Sequence, residues 1–147
     1  MVLRGANLET NKHPNDIAEL QAAGATLVRW QMWCPDADTI PWPAYTVWLN
    51  NQLANLEVAS SSYKKVVCLF TPPGGNRFAT SKFWQSRFID TWRRVAHRLK
   101  NRSDIWGYDL VNEPSMKSDD WWKLAKRVCG DLNQLAPKVK TIVTGRY

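Results

Sequence analysis

The chain has 147 residues, 44% of them hydrophobic and 22% charged, an ordinary globular composition that suits one domain over residues 1–147. No apolar run approaches the ~20 residues of a membrane span, so no membrane is expected as a partner. The net charge of +7 raises nucleic-acid binding. However, the basic residues between Arg77 and Arg102 alternate with an apolar stripe and read as the solvated face of one helix, which sets nucleic acid aside.

In chain order, "MVLRGANL" reads as a first strand. It lacks the basic-then-apolar pattern of a secretory leader, which leaves the compartment open. "NDIAELQAAGA" offers Asn15 or Asp16 as a helix N-cap, Ile17 and Leu20 as inward positions, and Gly24 as the stop. "TLVRWQMW" is a second strand, and "CPDADTIPWP" a proline-rich loop. Pro43 suits the first turn of the next helix, where Tyr45, Trp48, Leu49, Gln52, Leu53 and Leu56 fall at helical spacing.

"KKVVCLFT" is a third strand and "PPGGNRFA" a loop. Thr80 or Ser81 caps a long helix whose apolar stripe is Trp84, Phe88, Trp92, Val95 and Leu99. "DIWGYDLV" is a fourth strand. Ser118 opens a helix carrying Trp121, Leu124, Ala125, Val128 and Leu132, with Asp119 and Asp120 complementing its dipole. "VKTIVTG" is a fifth strand.

Strict alternation of strand and helix argues for a parallel sheet with right-handed crossovers. A doubly wound sheet and a partial (β/α) barrel both fit this order. No GxGxxG or Walker-type loop follows a strand, so no nucleotide cofactor is expected. Three widely spaced cysteines, Cys34, Cys68 and Cys129, form no CxxC pair and read as free thiols, two of them in apolar surroundings, with a single disulfide as the other option. Only His13 and His97 are histidines, far apart in sequence, and no metal site is expected.

Parallel α/β folds collect function where strands end. Here the first strand delivers Asn7 and Glu9, the second Arg29, Trp30 and Trp33, and the third Thr71. The fourth delivers Asn112 and Glu113, and the fifth Thr144 and Arg146. Carboxyls, amides, a guanidinium and indoles on one rim suit a sugar. Indoles stack on pyranose faces, amides bond hydroxyls, and a carboxyl can protonate a glycosidic oxygen.

"GYDLVNEP", preceded by "WRRVAHRLKNRSDIW", resembles the fourth-strand signature of glycoside hydrolase family 5, the cellulase-like endoglucanases. "RGANL" resembles that family's first strand and "GATLVRW" its second, and the likeness runs to about Gly145. The resemblance implies a partial (half) TIM (β/α)8 barrel of about five parallel strands alternating with four helices. It implies retaining hydrolysis of β-1,4-linked glucan or a related polysaccharide, without cofactor or metal, and secretion as the family's habit. Residue by residue, Glu113 matches the general acid/base and Asn112 the amide that bonds the sugar 2-hydroxyl. Arg29 matches the arginine that supports the catalytic nucleophile, while Trp33, Trp42 and Asn7 are candidate sugar contacts. The blander readings are a surface carboxylate for Glu113, a turn former for Asn112, an ion pair with Asp109 for Arg29, and core packing for the tryptophans.

Two features depart from the family pattern. Thr71 stands where the third strand usually ends in histidine. The family's nucleophile, a glutamate on the seventh strand, has no counterpart in five strands, so hydrolysis by this chain is expected to be impaired, with Glu9 the one internal candidate. An open half-barrel is also expected to expose strand edges and an apolar inner face, and so to form a homodimer. The alternative to an enzyme is a non-catalytic carbohydrate-binding or self-assembling half-barrel module.

Overall fold

The computed structural model of the chain describes residues 4–9, 16–59 and 61–145. Met1 to Leu3 of the first expected strand, the cap candidate Asn15, His13 and the rim candidate Arg146 lie outside the described residues. Five strands alternate with four helices: β1 (Gly5–Glu9), α1 (Asp16–Ala22), β2 (Leu27–Met32), α2 (Trp42–Val58), β3 (Lys64–Leu69), α3 (Lys82–Leu99), β4 (Ile105–Asp109), α4 (Ser118–Leu135) and β5 (Lys140–Ile142). All four strand pairings are parallel, and the spatial order is β1-β2-β3-β4-β5. That order decides between the two architectures the sequence left open. A doubly wound sheet reverses direction at a switch point, whereas right-handed crossovers that always step the same way place every helix on one face, as in a barrel wall.

Local chemistry explains where the elements begin and end. Gly24 has φ +83° and ends α1 in a Schellman arrangement, with Ala25 N–H donating to Leu20 and Gly24 N–H to Gln21. The Ser81 side chain accepts from Trp84 N–H and caps α3. Ser118 is the first helical residue of α4 and not its cap; Lys117 holds that position without a side-chain bond. The segment read as a plain loop after β3 contains a 3-10 helix over Gly75–Ala79.

The apolar stripes expected on α3 and α4 are buried throughout, and on α2 only Trp48 stays partly exposed. Together with Val28, Trp30, Met32, Val67 and Leu69 from the sheet they form one core. Trp92 Nε1 donates to the Leu110 carbonyl at 3.0 Å and Trp121 Nε1 to the Thr144 carbonyl at 2.9 Å, so two core indoles pin the exits of β4 and β5. Cys34 and Cys68 are buried free thiols, and Cys129 is a half-buried one.

Register assigns the opposite face of the sheet. Asn7, Arg29 and Val66 share one register row across β1 to β3, and Glu9, Gln31, Cys68 and Asp109 share another across β1 to β4. This inner face is more polar than expected. Leu27 and Ile142 on it are half-buried, whereas the large apolar side chains exposed among the described residues, Val47, Val58, Phe83 and Trp122, all lie on helices. Between Lys65 and Val66 the ladder slips, and β4 advances from Ile105 to Gly107 against one step of β3, a β-bulge.

At the base of the sheet Lys65 is fully buried. Its Nζ lies 2.6 Å from Asp104 Oδ2 and over the Tyr63 ring, and Arg102 donates to both oxygens of the same carboxylate. Burial opposes ionisation of Asp104, but hydrogen bonds from Arg102 and Lys65 outweigh it and hold the carboxyl at about 2. A depressed carboxyl stabilises the fold above its unfolded value near 3.9, and that contribution drains away as pH falls towards 2. Urea midpoints measured from pH 7 down to pH 2 should therefore report a loss of about 2 kcal/mol through this window. Asp104→Ala should cost about 3 to 5 kcal/mol at pH 7 by stranding Lys65.

Candidate functional site

The last ladder residue of β4 is Asp109. The strand's hydrogen bonding trails on from Leu110 N–H to Ile142 and from Asn112 N–H to Leu69 at 3.4 Å. Asn112 and Glu113 thus stand just beyond the strand. Glu113 is exposed and has φ +46°, the only positive φ on a non-glycine residue among those described. A β-unbranched carboxylate gains nothing locally from that conformation, which costs of order 1 kcal/mol or more and is characteristic of functional loops.

Arg29 comes from β2 and reaches across β3. Its Nε lies 2.8 Å and its Nη2 2.6 Å from Asp109 Oδ2, and Nη2 also donates to Asn112 Oδ1 at 3.1 Å. The ion pair with Asp109 is present, and the same guanidinium also bonds Asn112. A guanidinium has only donors, so it fixes Oδ1 of Asn112 inward and leaves the Nδ2 donors for a ligand. Asp109 is buried, and its Oδ1 has no hydrogen-bond partner. Cys68, its register partner, has its thiol pushed far up by burial and by the charge of Asp109. It is a packing residue and not a nucleophile.

Thr71, in the place of a histidine, fastens the rim. Its Oγ1 accepts from Cys34 N–H at 2.6 Å and donates to the Cys34 carbonyl at 3.2 Å, and Tyr45 Oη donates to the Thr71 carbonyl at 2.9 Å. Burial pushes the Cys34 thiol up to about 11.

The remaining candidates separate. Asn7 is exposed on β1 beside Arg29, and Trp33 is half-buried just past β2. Glu9 is aligned with Asp109, four residues before Glu113. Trp42 stacks on Tyr45 and lies against the guanidiniums of Arg87 and Arg94. The Thr144 carbonyl is taken by Trp121.

A cleft of about 180 Å³ adjoins Asn112 and Glu113, with Asp38 and Asn76 on its rim. Asp38 was not anticipated from the sequence, because nothing local marks it. A wider hollow of about 640 Å³ runs along Arg93, Arg94, His97 and Arg98. It lies on the half of α3 nearest the base, and two of its arginines are engaged by Asp131 and Glu57. Among the described residues no cluster of His, Cys, Asp or Glu could hold a metal ion, and no helix is long and apolar enough to cross a membrane.

The cellulase family model, glycosyl hydrolase family 5, matches residues 6–147. The chain belongs to this family. No curated sequence matches it. Solved structures share its fold at low identity. The catalytic domain of the major endoglucanase of Xanthomonas campestris pv. campestris is 22% identical, with a TM-score of 0.69 over 99% of this chain and 52% of that one. A beta-glucanase from Saccharophagus degradans gives 17% and 0.70, over 99% and 49%. Endo-glycoceramidase II from a Rhodococcus species, in complex with a cellobiose-like imidazole, gives 16% and 0.67, over 97% and 48%. This family 5 chain spans about half the length of the structures it matches, and its open five-stranded sheet corresponds to half of a TIM barrel.

The Arg29–Asp109 pair joins a buried carboxylate to a guanidinium at the rim of this family 5 half-barrel. Arg29→Leu should cost about 3 to 5 kcal/mol in urea unfolding, because it strands a buried carboxylate. Adding Asp109→Leu should recover most of that loss.

Proposed function

We propose that this chain carries the acid/base half of a glycoside hydrolase site for β-1,4-linked glucan or a related polysaccharide. Glu113 is the proton donor to the glycosidic oxygen. Asn112 presents its amide donors to a hydroxyl of the sugar beside it, and Arg29 holds that amide and the approach to the reacting carbon. Trp33 and Asn7 contribute further sugar contacts. The observation that carries this reading is the Arg29–Asn112 hydrogen bond immediately before an exposed glutamate in a strained conformation.

Retaining hydrolysis needs two carboxyls about 5 Å apart, and inverting hydrolysis needs about 6.5 to 9.5 Å. Among the described residues Glu113 is the one carboxyl this reading assigns to that device, with Glu9 the internal candidate for the second, so turnover by these five strands is impaired. Among the described residues the strand edges of β1 and β5 carry no further strand, which favours a second reading: a self-assembling, carbohydrate-binding half-barrel that works as a homodimer.

With an aryl β-cellobioside as substrate, wild type should show slow turnover and Glu113→Gln should lower it by about a hundredfold. Equal rates in the two would remove Glu113 from the mechanism. Retention on insoluble cellulose without soluble product would select the binding module instead. Light scattering after gel filtration should give a dimer mass at micromolar concentration, and a clean monomer would discard self-assembly.

A further inference from the structure

The cleft beside Glu113 has the character of a sugar pocket that extends past the reacting centre. Its floor is apolar, made by the buried side chains of Phe78, Val111 and Pro114. Its rim is polar, made by Asp38, Asn76 and Ser115, all exposed. A pyranose has the same division, with apolar C–H faces and an equatorial belt of hydroxyls. At about 180 Å³ the cleft has room for roughly six waters by liquid volume, which suits one ring and not a chain of them.

Resting on the function proposed above, we infer that Asp38 is a specificity-determining residue that accepts hydrogen bonds from two neighbouring hydroxyls of one pyranose seated in this cleft. A carboxylate has about four acceptor positions. Asn76 N–H takes one at 2.6 Å, and Asn76 Nδ2 lies at 3.5 Å from the other oxygen. Among the described residues both partners of Asp38 belong to Asn76, so no cation neutralises it. The remaining lone pairs stand over the cleft, and two adjacent hydroxyls match the paired oxygens of a carboxylate.

The chain is shaped to place this group. Gly74 and Gly75 both have positive φ, +82° and +50°. A Cβ on Gly75 would come within 2.5 Å of the Asp38 carboxyl, and one on Gly74 within 2.3 Å of the Trp84 indole. Two glycines in succession therefore let the 3-10 helix lie against Asp38 on one side and Trp84 on the other. An ordinary solvated aspartate needs no such accommodation. The contact joins the β2–α2 and β3–α3 loops and holds the carboxylate rigid at the rim, which lowers the ordering cost of binding.

Asp38→Asn separates recognition from scaffolding. The asparagine keeps an oxygen for Asn76 N–H, so thermal stability should stay close to wild type, but it turns N–H donors towards the cleft. Affinity for cellotriose, measured by calorimetry, should fall about tenfold, the loss expected when a charge-assisted acceptor is replaced by a mismatched donor. Asp38→Ala should lower both affinity and melting temperature. In wild type, the Gly75 and Asn76 amide resonances should shift on titration with cellotriose, a readout that holds even if a variant fails to fold. Unchanged affinity in Asp38→Asn, or unmoved Gly75 and Asn76 amides while Asn112 responds, overturns the inference and leaves the proposed function standing. Failure of wild type to bind cellotriose at all overturns both.

Discussion

A single carboxylate oxygen, Oδ2 of Asp109, accepts a hydrogen bond from Arg29 Nε and lies 2.6 Å from Nη2 of the same guanidinium, and the upper end of the sheet is organised about that contact. The partners lie on β2 and β4, so the arginine must pass over β3. It can do so because β3 offers the small side chains of Val66 and Cys68 on that face at the level of the crossing, with Lys64 further towards the base. Burying a carboxylate is tolerable only with such a partner, and the guanidinium, once placed, has a donor left for Asn112. From one ion pair follow the direction of an amide and the path by which the chain reaches Glu113.

The two ends of the sheet use charge for different ends. At the base, Asp104 is bonded to Lys65 and Arg102 on both oxygens, and the cluster is closed. At the rim, Asp109 keeps an unbonded oxygen, Asn112 keeps its amide hydrogens, and Glu113 stands in solvent on a strained backbone. The division follows the general habit of parallel α/β folds, in which the N-terminal strand ends carry stability and the C-terminal ends carry chemistry. Family 5 membership gives that unused bonding capacity a substrate class to be tested against.

Much of this was readable from residue order, because it rests on short-range pattern. Trp84, Phe88, Trp92, Val95 and Leu99 fall on one helical face, and every one is buried; periodicity alone carries that information. The tripeptide Asn112–Glu113–Pro114 and Arg29 were legible as a constellation because each sits at a strand exit. Other features depend on contacts remote in sequence. Asp38 is ordinary loop chemistry until Asn76 arrives from 38 positions away. Lys65 reads as a polar strand end and is fully buried, because Asp104 waits on another strand's approach. Trp42 carries the composition of a sugar platform, but Arg87 and Arg94 of α3 lie against it. The positive φ of Glu113 has no sequence signal at all, since glutamate is not a residue that favours it.

The bulge where β4 runs from Ile105 to Gly107 against Lys65 and Val66 acts as a phase shifter. Side chains on a strand alternate in direction, so an odd slip exchanges inside for outside from that point onward. Below the slip β4 is in step with the base cluster around Asp104; above it, Asp109 is in step with Cys68 and Arg29. Regular pairing with every residue kept would set Trp106 against Val66 and Tyr108 against Cys68, putting Tyr108 on the inner face and turning Asp109 into the helix layer. The frame of β4 is thus set near its entrance, where Trp106 is the residue the ladder absorbs, and a further odd insertion or deletion between the slip and Asp109 would turn Asp109 away from Arg29.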